Sequence, residues 1–189
     1  MSINRLFHSH LAALVLIVLT IAGCSYTAVP RSVPLLADAR SGSMGGIWVL
    51  MANGEKNDSL TQIPTDDRRT SSFKANRQLW SRQLVESLAR EFARRGATVR
   101  AGAPITLTIT LPEIVFIETR DLYQFKVTAA VTSSRGWSKE YTGTAGVNAS
   151  SVLSIQREAD RLASQALSNV IKEMLGDQEF QRQLRTTKS

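Results

Sequence analysis

The 189-residue chain carries 23 basic and 16 acidic side chains, a formal net charge of +7, and its 43% hydrophobic content suffices for one folded domain with targeting and tether segments. The charge permits partners bearing phosphate or other acidic groups, yet the basic residues are scattered or come in pairs such as Arg68-Arg69 and Arg94-Arg95. With 6% aromatic residues and no pattern of an RNA-recognition, helix-turn-helix or zinc-finger module, no nucleic-acid partner is expected.

Residues 1–23 have three parts: a polar start with Arg5, an apolar run from Leu11 to Ile21, and the small pair Ala22-Gly23. That is the layout of a secretory signal peptide, and the run is shorter than the roughly 20 residues of a spanning helix. Residues 24–45 follow, polar and interrupted by Pro30, Pro34 and two glycines, so they read as a flexible tether. About 20 extended residues at ~3.3 Å each would give it a reach of about 70 Å.

Between leader and tether stands Cys24, the sole cysteine. A lone thiol can be a nucleophile, half of a disulfide, a core residue or an attachment point. The four residues Ile21, Ala22, Gly23 and Cys24 resemble the lipobox of bacterial lipoproteins. That resemblance implies S-diacylglyceryl modification of Cys24, cleavage between Gly23 and Cys24, and N-acylation of the new terminus. Several acyl chains make a stable anchor where one would be marginal. It also implies, because Ser25 and not Asp follows the cysteine, delivery to the outer membrane and not retention at the inner one, with the body facing the periplasm.

The folded part, residues 46–189, begins with an apolar strand from Ile47 to Ala52 and a polar loop containing Pro64 that runs to about Ser71. Asn76 to Arg95 places Trp80, Leu84, Leu88 and Phe92 four apart, the stripe of an amphipathic helix ended by Gly96. Ile105, Leu107, Ile109 and Leu111 alternate with threonines in a half-buried strand, and Pro112 implies an edge, bulge or bend before Ile114. A second alternating run holds Tyr123, Phe125, Val127, Ala129 and Val131; a turn at Ser134 to Trp137 leads to a third strand, Ser138 to Asn148, whose Gly143 and Gly146 weaken its regularity. Ser154 to Leu175 carries the stripe Ile155, Ala159, Leu162, Ala166, Val170 and Met174 of a second helix, followed by a polar helix or tail with Phe180 and Leu184. The order β-α-β-β-β-α gives an α+β two-layer sandwich: an antiparallel sheet of about four strands, with two long helices on one face.

After Gly23 the chain has no histidine, since His8 and His10 fall in the leader, and Cys24 would be blocked as a thioether. Histidine-dependent nucleophilic triads and His/Cys zinc sites therefore have no residues to build them. The acids outside the helices, Asp66, Asp67, Glu113, Glu118, Asp121 and Glu140, show no spacing that implies convergence. No catalytic residue, metal site or cofactor is expected.

The stretches Leu84 to Val99, Ile105 to Ile114, Tyr123 to Val131, Lys139 to Ser150 and Ala159 to Leu184, in that order behind a lipobox, resemble the YajG family of bacterial lipoproteins. The resemblance implies an envelope lipoprotein of largely undefined activity and supplies no catalytic residues. The expected role is a non-enzymatic binding or structural module, held to the membrane through Cys24 and meeting an envelope protein or glycan. The alternative is an accessory lipoprotein of an envelope lipid-transport or ABC transport system, its apolar run Leu111 to Glu118 offering a surface to an acyl chain.

Overall fold

A computed structural model describes residues 25–31, 33, 36, 43–63, 72–151 and 155–185. The leader call on 1–23, Gly23, Cys24, Asp66 and Asp67 lie outside the described residues. Among the described residues eight strands and three α-helices follow one another: β1 Ser25–Thr27, β2 Trp48–Asn53, β3 Leu60–Ile63, β4 Ser72–Asn76, α1 Arg77–Arg94, β5 Thr98–Val99, β6 Ile105–Glu118, β7 Leu122–Ser133, β8 Ser138–Asn148, α2 Ile155–Gly176 and α3 Gln178–Arg185.

The α+β sandwich is as expected, with more strands and a different pairing. Its main sheet has five strands in the order β5-β2-β6-β7-β8. The meander β6-β7-β8 is antiparallel, but β2 pairs parallel with β6, Val49 opposite Ile105, and β5 pairs parallel with β2. The correction follows from connectivity: α1 lies between β2 and β6, and a helical crossover returns the chain in the same direction. The polar stretch read as one loop to Ser71 contains β3, which pairs antiparallel with β4, and β1 adds parallel to β4 to complete a three-stranded sheet.

The core lies between the main sheet and the long helices. Trp80, Leu84, Leu88 and Phe92 of α1 and Leu162, Ala166, Val170 and Met174 of α2 are all buried, as the four-residue spacing predicts. Phe73, Phe116 and Phe125 join Trp80 in an aromatic cluster, with Phe73 and Phe116 centroids 4.4 Å apart. Asn76 caps α1, its side chain accepting from the Leu79 N–H at 2.9 Å.

Pro112 makes a bulge, one of the three expected outcomes. The register of β6 against β7 shifts between Thr110 and Glu113, so the buried set changes from Ile105, Leu107, Ile109 and Leu111 to Ile114 and Phe116. The freed polar groups find partners: the Leu111 N–H donates to the Glu55 carboxylate at 2.6 Å, and Arg77 donates to the Leu111 and Pro112 carbonyls. Gly143, expected to disturb β8, instead lets α2 approach, because a Cβ there would collide with the Ala166 carbonyl and the Val170 amide.

Candidate functional site

The segment expected to be a flexible tether is, over its described residues, part of the fold. In β1, Ser25 lies opposite Ser72 and Tyr26 opposite Phe73, and the Ala28 N–H donates to the Lys74 carbonyl at 2.9 Å. The Trp80 indole donates to the Ala28 carbonyl at 2.9 Å. The Asp160 carboxylate of α2 then accepts from the Tyr26 hydroxyl at 3.1 Å, the Val29 N–H at 3.0 Å and the Arg31 Nε at 3.3 Å. The Arg31 N–H donates to the Ser164 hydroxyl at 2.9 Å. On α1, the Glu91 carboxylate accepts from the Leu36 N–H at 2.7 Å while the Arg94 guanidinium donates to the Leu36 carbonyl at 2.7 Å. Further on, the Met44 N–H donates to the Arg95 carbonyl and Arg185 of α3 donates to the Ser43 carbonyl, both at 2.8 Å. Val33 and Met44 are buried. Over its described residues the segment meets the first turns of α1 and α2 and then the last turn of α1, and so fastens across both helices as a strap.

The correction has a physical reason. Proline and glycine stop a segment from forming its own regular structure, but they leave its amides and carbonyls open to side chains that other elements supply. Two of those side chains, Glu91 and Asp160, give little sign of this role in the sequence, because a charged residue in an amphipathic helix normally faces water. A trace was present: Asp160, Ser164 and Ser168 recur every four residues beside the apolar stripe of α2, and all three are buried.

Electrostatics fits this use. Burial pushes the Glu91 carboxyl up, but hydrogen bonds from Arg94 and from the Leu36 N–H outweigh it and hold the group below its usual range. Burial lowers Arg95, against the pull of Glu91 at 3.5 Å. Burial, together with the hydrogen bond to Asp160, raises the Tyr26 phenol.

The strap opens with Ser25, to which Cys24 is joined directly. Beside this end lies a cleft of about 540 Å³, lined by Arg31, Arg157 and Arg161, with Asp160, Ser164 and Ser168 along its wall. Arg161 donates to Glu158 at 2.6 Å and to Gln165 at 3.2 Å.

The acids outside the helices are dispersed in structural tasks. Glu113 pairs with Lys126 at 2.8 Å and accepts from the Thr128 hydroxyl at 3.0 Å, and these bonds lower its pKa. Glu118 is buried at the end of β6, Asp121 sits in the exposed turn before β7, and Glu140 lies on the exposed face of β8. Asp177, between the last two helices, accepts from the Tyr141 hydroxyl at 2.6 Å, Lys139 at 3.0 Å and the Glu179 N–H at 2.9 Å, which caps α3 against β8. Burial raises the Asp177 carboxyl, but these bonds win and hold it low, while burial and the Asp177 contact push the Tyr141 phenol strongly up. In the run Leu111 to Glu118, Leu111, Ile114 and Phe116 fill the core, and Val115 and Ile117 are half-buried on the other side.

No helix among the described residues is long and apolar enough to cross a membrane. No protein-family model and no curated protein matches the sequence. Among solved structures, the chain is similar to a Xanthomonas campestris protein of family-model DUF330, with a TM-score of 0.52 and 15% identity over 85% of this chain and 97% of that one. That likeness shows a shared fold. A minor lipoprotein from Acinetobacter baumannii is matched at a TM-score of 0.40 and 11% identity over 80% of this chain and 92% of that one. PelC from Paraburkholderia phytofirmans, crystallised as a dodecamer, is matched at 0.31 and 16% over 71% and 94%.

Proposed function

We propose that this chain is a YajG-like, lipid-anchored lipoprotein of the cell envelope, a non-enzymatic binding or structural module at the periplasmic face of the outer membrane. The observation that carries the reading is the sequence Ile21-Ala22-Gly23-Cys24 set immediately before Ser25, the first residue of β1. A chain cut before Cys24 would begin at the edge of its own fold, with no surplus peptide between lipid and body. The strap supports the same reading, because its hydrogen bonds to Asp160, Ser164, Glu91 and Arg94 carry the pull of an anchor into both long helices. The non-enzymatic part is supported by the lack of histidine after residue 23 and by the structural employment of Glu113, Asp160 and Asp177.

Metabolic labelling with a clickable fatty acid tests the anchor. The native chain is expected to take up label and fractionate with membranes, and Cys24→Ala to lose both. Label retained in Cys24→Ala would overturn the assignment. Crosslinking in cells followed by capture of the body tests the binding role, with a specific envelope protein or glycan expected.

A further inference from the structure

The cleft beside β1 has a composition that core packing does not require. Arg157 and Arg161 stand one turn apart on the same side of α2 and line the cleft together with Arg31 from the strap. The one carboxylate in the lining, Asp160, is already occupied by the Tyr26 hydroxyl, the Val29 N–H and Arg31. Arg161 pairs with Glu158 at 2.6 Å, so three arginines face two carboxylates and positive charge remains in excess by one. Arg157 also sits in the first turn of α2, where a cation opposes the helix macrodipole and lowers helix stability. A bound anion would offset that cost. Three arginines lining one cleft with the side-chain amides of Gln165 and Asn169 fit a tetrahedral oxyanion, whose several oxygens accept forked N–H pairs from more than one direction.

Position narrows the source. Tyr26, which donates into the cleft wall, is two residues from Cys24, and two residues span at most about 7 Å. A lipid on Cys24 would hold the cleft at the level of the surrounding headgroups. We propose that this cleft binds a phosphate group, presented either by a membrane lipid headgroup or as the free ion. The headgroup source rests on the anchor reading; the phosphate site does not.

The test uses the full acylated chain in a neutral, non-ionic detergent. It is titrated calorimetrically with dihexanoyl phosphatidylglycerol, with inorganic phosphate, and with dihexanoyl glycerol as the phosphate-free control. Saturable binding of the phospholipid is expected, with none of the control. The pair Arg157→Ala and Arg161→Ala, both exposed and replaced by a strong helix former, should weaken it tenfold or more. Arg82→Ala, on the exposed face of α1, should leave it unchanged. Phospholipid binding tighter than inorganic phosphate identifies the headgroup as the source, and equal affinity identifies the free ion. Absence of saturable binding of either, or equal weakening by Arg82→Ala, overturns the site. Following the fatty-acid label in the same preparations separates the two readings: label without phosphate binding sinks the cleft alone, and phosphate binding without label sinks the anchor alone.

Discussion

Along the main sheet the contacts are apolar and shared by many residues, whereas the described residues after β1, from Val29 to Leu36, are fastened by hydrogen bonds from single side chains to their backbone. In the sheet region, Phe116, Phe125, Trp80 and Phe73 all touch within one cluster, so each supports several neighbours. On the strap, Asp160 alone holds three groups and Glu91 with Arg94 alone holds both polar groups of Leu36. The difference teaches that the two regions should fail differently: the body as one cooperative unit, the strap one fastening at a time.

The largest effect belongs to the body. Phe125→Ala should cost about 3–5 kcal/mol, measured by denaturant unfolding, because it empties the centre of the aromatic cluster. Gly143→Ala should cost about 1–3 kcal/mol, since the added methyl must push α2 off β8. Both should speed hydrogen exchange of sheet amides throughout.

Asp160→Ala should behave otherwise. About 1–3 kcal/mol is expected to be lost locally, as faster exchange of the Val29 and Arg31 amides while the amides of β6 and β7 keep their protection. If strap and sheet amides open together, the distinction between the regions fails.

Acid should act on the strap through Glu91. Its folded pKa lies below the ordinary 4.5, so its contribution is complete above that value and is lost as pH falls through the folded pKa. The gap in thermal midpoint between native chain and Glu91→Gln should therefore shrink from pH 6 to pH 3. The smallest effect, about 1 kcal/mol in denaturant unfolding, is expected for Tyr141→Phe, which removes one hydrogen bond to the junction before α3.

The same contrast explains what could be read in advance. Trp80, Leu84, Leu88 and Phe92, or Ile105 to Leu111, announce their burial because regular structure repeats and its apolar face repeats with it. Pro112 signals a bulge because its missing N–H and rigid ring act locally. The strap has no period, and its partners lie 131 positions away for Val29 and 55 for Leu36. Parallel pairing of β2 with β6 was hidden for a related reason, since it depends on the path taken by α1 and not on the strand's own residues. Of the candidate site, the proposal at Cys24 rests on linear sequence alone, whereas the arginine cleft exists only once Arg31 is folded back onto α2.

The direct attachment of β1 to residue 24 turns a question of reach into one of height. An acylated protein with a 70 Å leash could patrol; a chain acylated at residue 24, as proposed, would have its first strand beside the lipid and could only stand and pivot. Under the proposed anchor, β6, 14 residues or about 45 Å long, would give the scale of the body that stands over the membrane.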